Sequence, residues 1–262
     1  MAKRNYPWLI RAVALWLRPL LRVVARHEWR GIEKLPREGF VLAPNHLSWV
    51  DPFTLAVFLY DNGVPPRYLA KSGLFETPVI GWMMRTAEQI PVYRASGRAA
   101  EAFAAAIEAV EGDGVIVMYP EGTMTRDPDL WPMSGKSGPV RVALATGKPL
   151  IPVAQWGPQD IWYPYDSVKK IRLWPRRTMQ VVVGDPLDLS EFAGHELTPE
   201  NLQKATDQLM DAITDLLAGL RGERPQAPRL DARAVVETEA VEKELRRQQK
   251  KRTRYGRNEG GR

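Results

Sequence analysis

A histidine and an aspartate five residues apart are the first side chains in the sequence able to do chemistry together. His46 follows the apolar run Phe40–Ala43, and Asp51 precedes Pro52, a residue suited to the first turn of a helix. A turn between a strand and a helix can bring a carboxylate to one imidazole nitrogen, while the other nitrogen takes a proton from a hydroxyl group. The alternative is structural: Asp51 would be the N-cap of its helix, and His46 would be an ordinary loop residue.

A second polar segment follows another apolar run, Gly114–Met118. It reads Pro-Glu-Gly-Thr and includes Glu121, Gly122 and Thr123, with Arg126 shortly after. Gly122 permits close approach of the backbone, Thr123 offers a hydroxyl group, and Arg126 is a cation that suits a phosphate. The carboxyl ends of parallel strands are also where α/β proteins place their ligands. Considered alone, the segment could equally be a turn with ordinary polar residues.

Short apolar runs alternate with helical patterns through the middle of the chain. Strands are predicted at Phe40–Ala43, Arg67–Ala70, Gln89–Tyr93, Val115–Tyr119, Leu150–Ala154 and Met179–Gly184. The clearest helices are predicted at Arg98–Glu111 and Pro199–Leu220. This alternation predicts an α/β domain over residues 31–221, with a central, largely parallel sheet flanked by helices.

Residues 1–30 carry seven basic side chains and one acidic side chain, and we expect them to form an amphipathic helix. Five arginines recur at intervals of seven, seven, four and four residues: Arg4, Arg11, Arg18, Arg22 and Arg26. These intervals place them on one side of a helix whose remaining surface is rich in tryptophan and leucine. The pattern is typical of a helix that lies in a membrane interface. Packing of the helix against its own domain is the alternative.

The other end of the chain is also basic. Residues 222–262 carry twelve basic and seven acidic side chains, with a dense basic run at Arg246–Arg257. Because this segment has almost no apolar face, a disordered tail is predicted. Its alternatives are a solvated extension without function, a contact with anionic lipid and, more weakly, a contact with nucleic acid. We expect an anionic membrane surface as the partner rather than nucleic acid.

The composition of the 262 residues excludes several kinds of site. There is no cysteine, which excludes disulfides, thiolate zinc sites and a cysteine nucleophile. With three histidines in all, a multi-histidine metal site is not expected, and neither a metal nor a cofactor is predicted. No run of about 18 uncharged apolar residues predicts a transmembrane helix, and no signal peptide is recognised. A peripheral location on the cytoplasmic face of the cell membrane is expected.

Together the two polar segments resemble the glycerolipid acyltransferase family, whose bacterial members include 1-acylglycerol-3-phosphate acyltransferases. The Asn-His-x-x-x-x-Asp block of that family is matched by Asn45, His46 and Asp51. Its Pro-Glu-Gly-Thr block is matched by residues 120–123, in the same order and at a similar separation. The resemblance extends from about residue 27 to about residue 220.

The resemblance implies an enzyme that moves a fatty acyl group from acyl-CoA or acyl-carrier protein to the free hydroxyl of 1-acylglycerol 3-phosphate, giving phosphatidic acid. His46 would act as the base, and Asp51 would orient it. The residues expected to contact the substrates are Asn45, Lys71, Arg94, Glu121, Gly122, Thr123 and Arg126. In many family members an arginine directly follows the Gly-Thr pair, whereas Met124 and Thr125 precede Arg126 here.

Other classes of function were weighed against this one. Gly135-Lys136-Ser137 resembles the end of a phosphate loop, but the required earlier glycine is replaced by Leu130, so nucleotide hydrolysis is rejected. A lipid esterase could use the same histidine and aspartate with water, and it would release free fatty acid without transfer. A non-enzymatic adaptor could bind a membrane or nucleic acid through the basic ends, and it would not need His46.

Overall fold

The computed structural model of the chain describes residues 7–93, 99–163, 171–235 and 237–238. Seven strands in these ranges form one sheet: β1 (Ala25–Arg30), β2 (Phe40–Pro44), β3 (Pro66–Lys71), β4 (Ile90–Val92), β5 (Val115–Val117), β6 (Leu150–Trp156) and β7 (Arg177–Val183). All six strands predicted from the sequence are present, with ends that differ by no more than two residues. The first strand, β1, was not predicted.

The strands lie in the order β1-β7-β6-β2-β5-β3-β4. The pair β6–β7 is antiparallel, and the other neighbouring pairs are parallel. The strands from β6 to β4 therefore point the same way and end at a common edge of the sheet. This confirms the prediction of a central, largely parallel sheet, and it identifies the edge where ligands bind in open α/β sheets.

Helices cover both faces of the sheet: α1 (Trp8–Val24), α2 (Asp51–Asp61), α3 (Pro78–Thr86), α4 (Ala99–Glu111), α5 (Gly138–Thr146), α6 (Pro158–Ile161) and α7 (Pro199–Arg221). Side chains alternate between the two faces along a strand, and β2 shows why both faces must be covered. Val41 and Ala43 pack with residues of α4, α5 and α7. Phe40 and Leu42 pack with residues of α2 on the other face. All four are 0% exposed, as expected for a central parallel strand.

The N-terminal helix is shorter than predicted. It ends at Val24, and residues 25–30 form the edge strand β1, which pairs in parallel with β7. Along this strand the half-buried His27 and Trp29 alternate with exposed charged side chains, the period of two that a strand requires. The domain boundary predicted at residue 30 is therefore wrong, because β1 belongs to the central sheet.

One face of α1 packs on the domain, and another face is exposed. Arg18 and Arg22 both form ion pairs with Asp61 at the end of α2, whereas Arg4 lies outside the described residues. The exposed apolar side chains of the helix are Trp8, Val13, Leu15, Trp16, Leu20 and Val23. The arginine stripe is thus partly engaged within the protein, and an apolar stripe faces outward. No helix in the described ranges combines the length and apolar character needed to cross a bilayer.

The C-terminal segment does not leave the fold at residue 222, where a disordered tail was predicted to begin. The Ser134 backbone N–H donates to the carbonyl oxygen of Leu230 (2.8 Å), and the Ala232 N–H donates to Ser134 Oγ (2.9 Å). Ala232 is 3% exposed. This part of the segment is therefore packed on the domain, and the basic run Arg246–Arg257 lies outside the described residues.

Candidate active site

Asn45, the residue after β2, fastens the following loop to the neighbouring strand β6. Its Oδ1 accepts a hydrogen bond from the backbone N–H of Gln155 (2.8 Å), and its Nδ2 donates to the carbonyl oxygen of Gln155 (3.1 Å). Gln155 Nε2 donates in turn to the carbonyl oxygen of Asn45 (3.2 Å). Both residues are 0% exposed. The predicted role of Asn45 is corrected: it positions the loop that carries His46 and does not face a substrate.

The imidazole of His46 and the carboxylate of Asp51 are in contact, with 2.9 Å between Nδ1 and Oδ2. The backbone N–H groups of Leu47 and Ser48 donate to the same carboxylate oxygen. Asp51 is completely buried, whereas the His46 side chain is 16% exposed. Because a carboxylate can only accept hydrogen bonds, Nδ1 is the donor in this pair, and in a neutral imidazole Nε2 then keeps its lone pair. Nε2 has no hydrogen-bond partner among the described residues, so it can accept a proton from a substrate.

The capping role considered for Asp51 is wrong. The N-cap of α2 is Val50, whose side chain makes no capping hydrogen bond, and Asp51 is the first residue of the helix. From this position its carboxylate turns back towards the loop at residues 46–48 instead of bonding to the helix N–H groups. The carboxylate therefore orients His46.

No group of three or more His, Cys, Asp or Glu side chains in the described ranges is arranged to hold a metal ion.

Glu121 lies behind His46 and connects the two polar segments. Its Oε1 accepts from the His46 backbone N–H (3.0 Å), and its Oε2 accepts from the Met133 N–H (3.0 Å). The Thr125 N–H donates to the His46 carbonyl oxygen (2.8 Å), so the backbone of His46 is held on both sides. Glu121 is 1% exposed. Its predicted contact with the substrate is therefore corrected to a role in positioning the His46 backbone.

The chain is similar to proteins of known activity. A family model described as acyltransferase matches residues 26–156. A 1-acyl-sn-glycerol-3-phosphate acyltransferase from Bacillus subtilis (strain 168) is 30% identical over 185 residues, which cover 70% of this chain and 84% of that protein. The chain belongs to the acyltransferase family. The resemblance inferred from the two polar segments is thereby confirmed.

Two further acyltransferases are similar over different shares of the chain. The chloroplastic 1-acyl-sn-glycerol-3-phosphate acyltransferase BAT2 from Brassica napus is 30% identical over 146 residues, or 55% of this chain and 41% of that protein. The crystal structure of the 1-acyl-sn-glycerophosphate (LPA) acyltransferase PlsC from Thermotoga maritima superposes with a TM-score of 0.60 at 20% identity. It covers 83% of this chain, and this chain covers 81% of that structure. The two chains therefore share a fold.

In this acyltransferase, the turn after β5 is approached by Lys136, a residue just before α5 that the sequence interpretation did not assign. Gly122 has φ of 68°, a conformation that favours glycine, and a Cβ atom there would come within 2.9 Å of Lys136 Nζ. The Lys136 backbone N–H donates to the carbonyl oxygen of Pro120 (2.8 Å), which fixes the start of the lysine side chain. Lys136 was considered only within an incomplete phosphate loop. Its position beside Gly135, in the segment that resembles the end of a phosphate loop, was the signal that could have identified it.

The other predicted substrate contacts within the described ranges lie along the same edge of the sheet. Thr123 and Arg126 are partly exposed in the segment that follows β5. Lys71 is the exposed last residue of β3, two strands away from β2, which corresponds to about 10 Å. Arg94 lies outside the described residues. The structure therefore brings His46, Asp51 and the Gly122 turn together, and it places Lys71 farther along the edge.

Tyr119 is a second residue that the sequence interpretation missed. Its ring packs against the His46 imidazole, with 4.2 Å between the ring centroids and 30° between the planes. The residue lies two positions after the end of β5 and directly before Pro120. Its position at the carboxyl end of a central strand was the available signal. The ring restricts where the imidazole can turn.

The carboxyl group of Glu121 is placed where ionisation is costly. Burial raises the pKa of Glu121 to about 8, and the Asp51 charge adds to this effect. The N–H donors of Met133 and His46 oppose it, as does the charge of Arg229. In the unfolded chain the same group titrates near 4.5. The folded protein therefore binds this proton more tightly than the unfolded chain does.

A pH dependence of stability follows from Glu121. Between about pH 4.5 and about pH 8 the folded state holds more protons than the unfolded state, so the free energy of unfolding should fall as the pH rises. The fall should amount to at most a few kcal/mol, and it should be absent in Glu121→Gln, which cannot ionise. Urea unfolding of both proteins between about pH 5 and about pH 8 measures it.

The difference in the free energy of unfolding between the wild type and Glu121→Gln at each pH isolates the contribution of Glu121. Desolvation by burial lowers the pKa of His27, which produces a slope of the opposite sign. Both proteins contain His27, so its contribution cancels in the difference. Equal slopes in the wild type and in Glu121→Gln would contradict the raised pKa.

Proposed function

We propose that the protein transfers a fatty acyl group from a thioester to the free hydroxyl of 1-acylglycerol 3-phosphate, giving phosphatidic acid. The observation that carries this proposal is the buried Asp51 carboxylate held against His46 Nδ1, with Nε2 open to a substrate. The family membership and the printed activities of the relatives support the same reaction. The proposed base and the carboxylate that orients it both lie within the described ranges.

The reaction proceeds in one transfer step. His46 Nε2 takes the proton of the acceptor hydroxyl, and the oxygen attacks the thioester carbonyl carbon. The C–S bond breaks as the tetrahedral intermediate collapses, and the leaving thiolate receives the proton from the imidazolium. Asp51 stabilises the imidazolium through the bond to Nδ1. The products are the new ester and a free thiol, so atoms and charge balance.

A covalent acyl-enzyme is not part of the proposal. Ser48 lies near the pair, but its hydroxyl donates to the carbonyl oxygen of Trp162 (2.6 Å) and accepts from the Val50 N–H (3.1 Å). Ser48 is also completely buried. Its oxygen is therefore engaged in the fold, and direct attack by the acceptor is the simpler route.

The acceptor phosphate is proposed to lie over the turn at Gly122. The glycine allows the backbone to approach a ligand closely, and Lys136 Nζ lies over the same residue. Lys71 and Arg126 contribute positive charge along the edge, with Arg94 proposed from the sequence. A phosphate bound here would place the glycerol hydroxyl of the acceptor near His46, because Glu121 holds the His46 backbone directly beside this turn.

The test is a product analysis with the full chain. The protein is incubated with palmitoyl-CoA in the presence and absence of 1-oleoyl-lysophosphatidic acid, and thiol release and lipid products are followed. Phosphatidic acid that forms only with the acceptor is the expected result. Free palmitate formed without transfer would instead indicate an esterase. Parallel reactions with an acyl-carrier-protein donor and with glycerol 3-phosphate as acceptor identify the substrates. Absence of any acylated product in all arms would overturn the proposal.

We also propose peripheral attachment to an anionic membrane surface through a platform formed by Trp8, Val13, Trp16 and Leu20 of α1 with Val79, Ile80 and Trp82 of α3. All seven side chains are at least 36% exposed. The rings of Trp8 and Trp82 contact each other, with 5.9 Å between centroids, so the two helices present one continuous apolar surface. Surfaces of this kind, flanked by basic residues such as Arg11, bind the interface of anionic bilayers.

Flotation with vesicles tests the platform. The double substitution Trp16→Ser with Leu20→Ser should lower binding to vesicles of phosphatidylcholine and phosphatidylglycerol by tenfold or more, since each side chain contributes roughly 1.5–3 kcal/mol when buried. Leu197→Ser is the matched control, because Leu197 is also exposed (39%) but lies just before α7. Equal binding of both variants would contradict the proposed platform.

A further inference from the structure

Three buried polar atoms around the His46–Asp51 pair have no hydrogen-bond partner among the described residues. They are Asp51 Oδ1, the Tyr119 hydroxyl and Gln155 Oε1. Each belongs to a residue that already touches the catalytic loop: Asp51 bonds to His46, Tyr119 packs on its ring, and Gln155 holds Asn45. An unpaired buried polar atom is unfavourable, so three of them on residues that surround one loop point to a shared partner.

The Tyr119 hydroxyl is the natural donor in this group. Burial, followed by the charges of Tyr68 and Asp51, raises the pKa of Tyr119 well above its ordinary value. The hydroxyl therefore keeps its hydrogen throughout the neutral range. The Tyr119 ring packs on His46, Asp51 bonds to His46, and Gln155 bonds to the adjacent Asn45, so the three groups surround the same short loop.

The count of donors and acceptors shows that these three groups lack one hydrogen-bond donor. Asp51 Oδ1 and Gln155 Oε1 are both acceptors, and Gln155 Nε2 already donates to Asn45. One tyrosine hydroxyl donates only one hydrogen bond, so it satisfies only one of the two acceptors. A water molecule has two hydrogens to donate, and with the tyrosine it completes the set.

We propose that Tyr119 is a positioning residue whose hydroxyl, together with one bound water molecule, donates hydrogen bonds to Asp51 Oδ1 and Gln155 Oε1. Asp51 is thereby held through both oxygens, with Oδ2 on His46 and Oδ1 on this buried network. The network also extends to β6, since Gln155 and Asn45 bond reciprocally. Its function is to fix the carboxylate and to limit the negative charge concentrated on Oδ2.

Removal of the hydroxyl by Tyr119→Phe should affect the His46–Asp51 bond while leaving the ring in place. Oδ2 should become a stronger acceptor, and the Nδ1–H proton resonance of His46 should move downfield. The carboxylate should also become less well held, so kcat for acyl transfer should fall about tenfold, with KM for both substrates within a factor of about two. A residue that only contacted substrate would change KM instead.

The matched control is Tyr68→Phe. The Tyr68 side chain is, like that of Tyr119, partly buried, but its hydroxyl donates to the carbonyl oxygen of Pro52 (2.9 Å) and is not one of the unpaired atoms. Both variants lose a buried hydroxyl and are compared by thermal unfolding. Tyr68→Phe should leave the His46 resonance in place.

Proton and ¹⁵N spectra of the imidazoles test the proposal in the full chain. The sequence has three histidines, and the imidazole signal that disappears in His46→Ala is assigned to His46. Movement of the His46 signals in Tyr119→Phe but not in Tyr68→Phe is the expected result. Unmoved signals in both, or equal movement in both, would overturn the proposal. The spectra require no turnover, so this result does not depend on the proposed acyl transfer. Only the kcat measurement depends on that activity.

Discussion

Replacement of His46 by alanine is expected to lower kcat for acyl transfer by about 10³–10⁴ while the fold remains intact. The proposed base is removed, and general base catalysis by a positioned group contributes about 10²–10⁴, to which the loss of substrate orientation adds. The fold should tolerate the change because the backbone of residue 46 keeps its bonds to Glu121 and Thr125. Asp51 also keeps two backbone donors, from Leu47 and Ser48.

Steady-state kinetics of thiol release and thermal unfolding measure these two expectations. His195→Ala is the matched control, since His195 is an exposed loop residue outside the site. It should retain full activity. A His46→Ala protein with activity within tenfold of the wild type would show that another group takes the proton. A large fall in its unfolding temperature would mean that the loss of activity reports damage to the fold.

Replacement of Asp51 should separate the charge of the carboxylate from its hydrogen bonds. In Asp51→Asn the carbonyl oxygen can take the place of Oδ2 and accept from Leu47, Ser48 and His46 Nδ1, so the loop should remain in place. The negative charge that stabilises the imidazolium is lost. We expect kcat to fall by about 10²–10⁴ and the free energy of unfolding to change by less than about 2 kcal/mol.

Asp51→Ala provides the contrast. It leaves two backbone N–H groups and His46 Nδ1 without their acceptor, in a place that is completely buried. Its free energy of unfolding should fall by several kcal/mol, because each unpaired buried donor costs about 1–3 kcal/mol. Urea unfolding and kinetics of both variants test the pair. Equal stability of the two variants would contradict the anchoring role of Oδ2, and full activity of Asp51→Asn would contradict the role of the charge.

The second polar segment, which begins at Pro120, occupies a different position from the one that the sequence predicted. It was predicted to meet the substrate through Glu121, Gly122 and Thr123. In the structure Glu121 and Thr125 hold the peptide groups on either side of His46, and Lys136 Nζ lies close to Gly122. The segment therefore both supports the base and forms part of the proposed phosphate site.

The fold class and the main strands could be predicted from the sequence because they depend on local patterns. A central strand such as β2 is buried on both faces and is apolar throughout, which marks it in the sequence. Helix α7 is marked by its period and by Gly222 at its end. The edge strand β1 lacks such a mark. Its charged, half-exposed residues continue the helical pattern before them, and only the pairing with β7 makes them a strand.

The chemical identity of the site was likewise contained in the sequence, because the spacing of His46 and Asp51 permits local contact across one turn. The tertiary structure decided what surrounds that pair. Glu121 is 75 residues from His46 in the chain, and Gln155 is 110 residues from Asn45. Contacts at such separations depend on the order of the strands in the sheet, which β2, β5 and β6 establish by pairing. For this reason the sequence indicated the His46–Asp51 pair as the candidate reacting groups, and only the folded sheet decided that Asn45 and Glu121 hold the loop of this pair and that Tyr119 and Gln155 lie beside it.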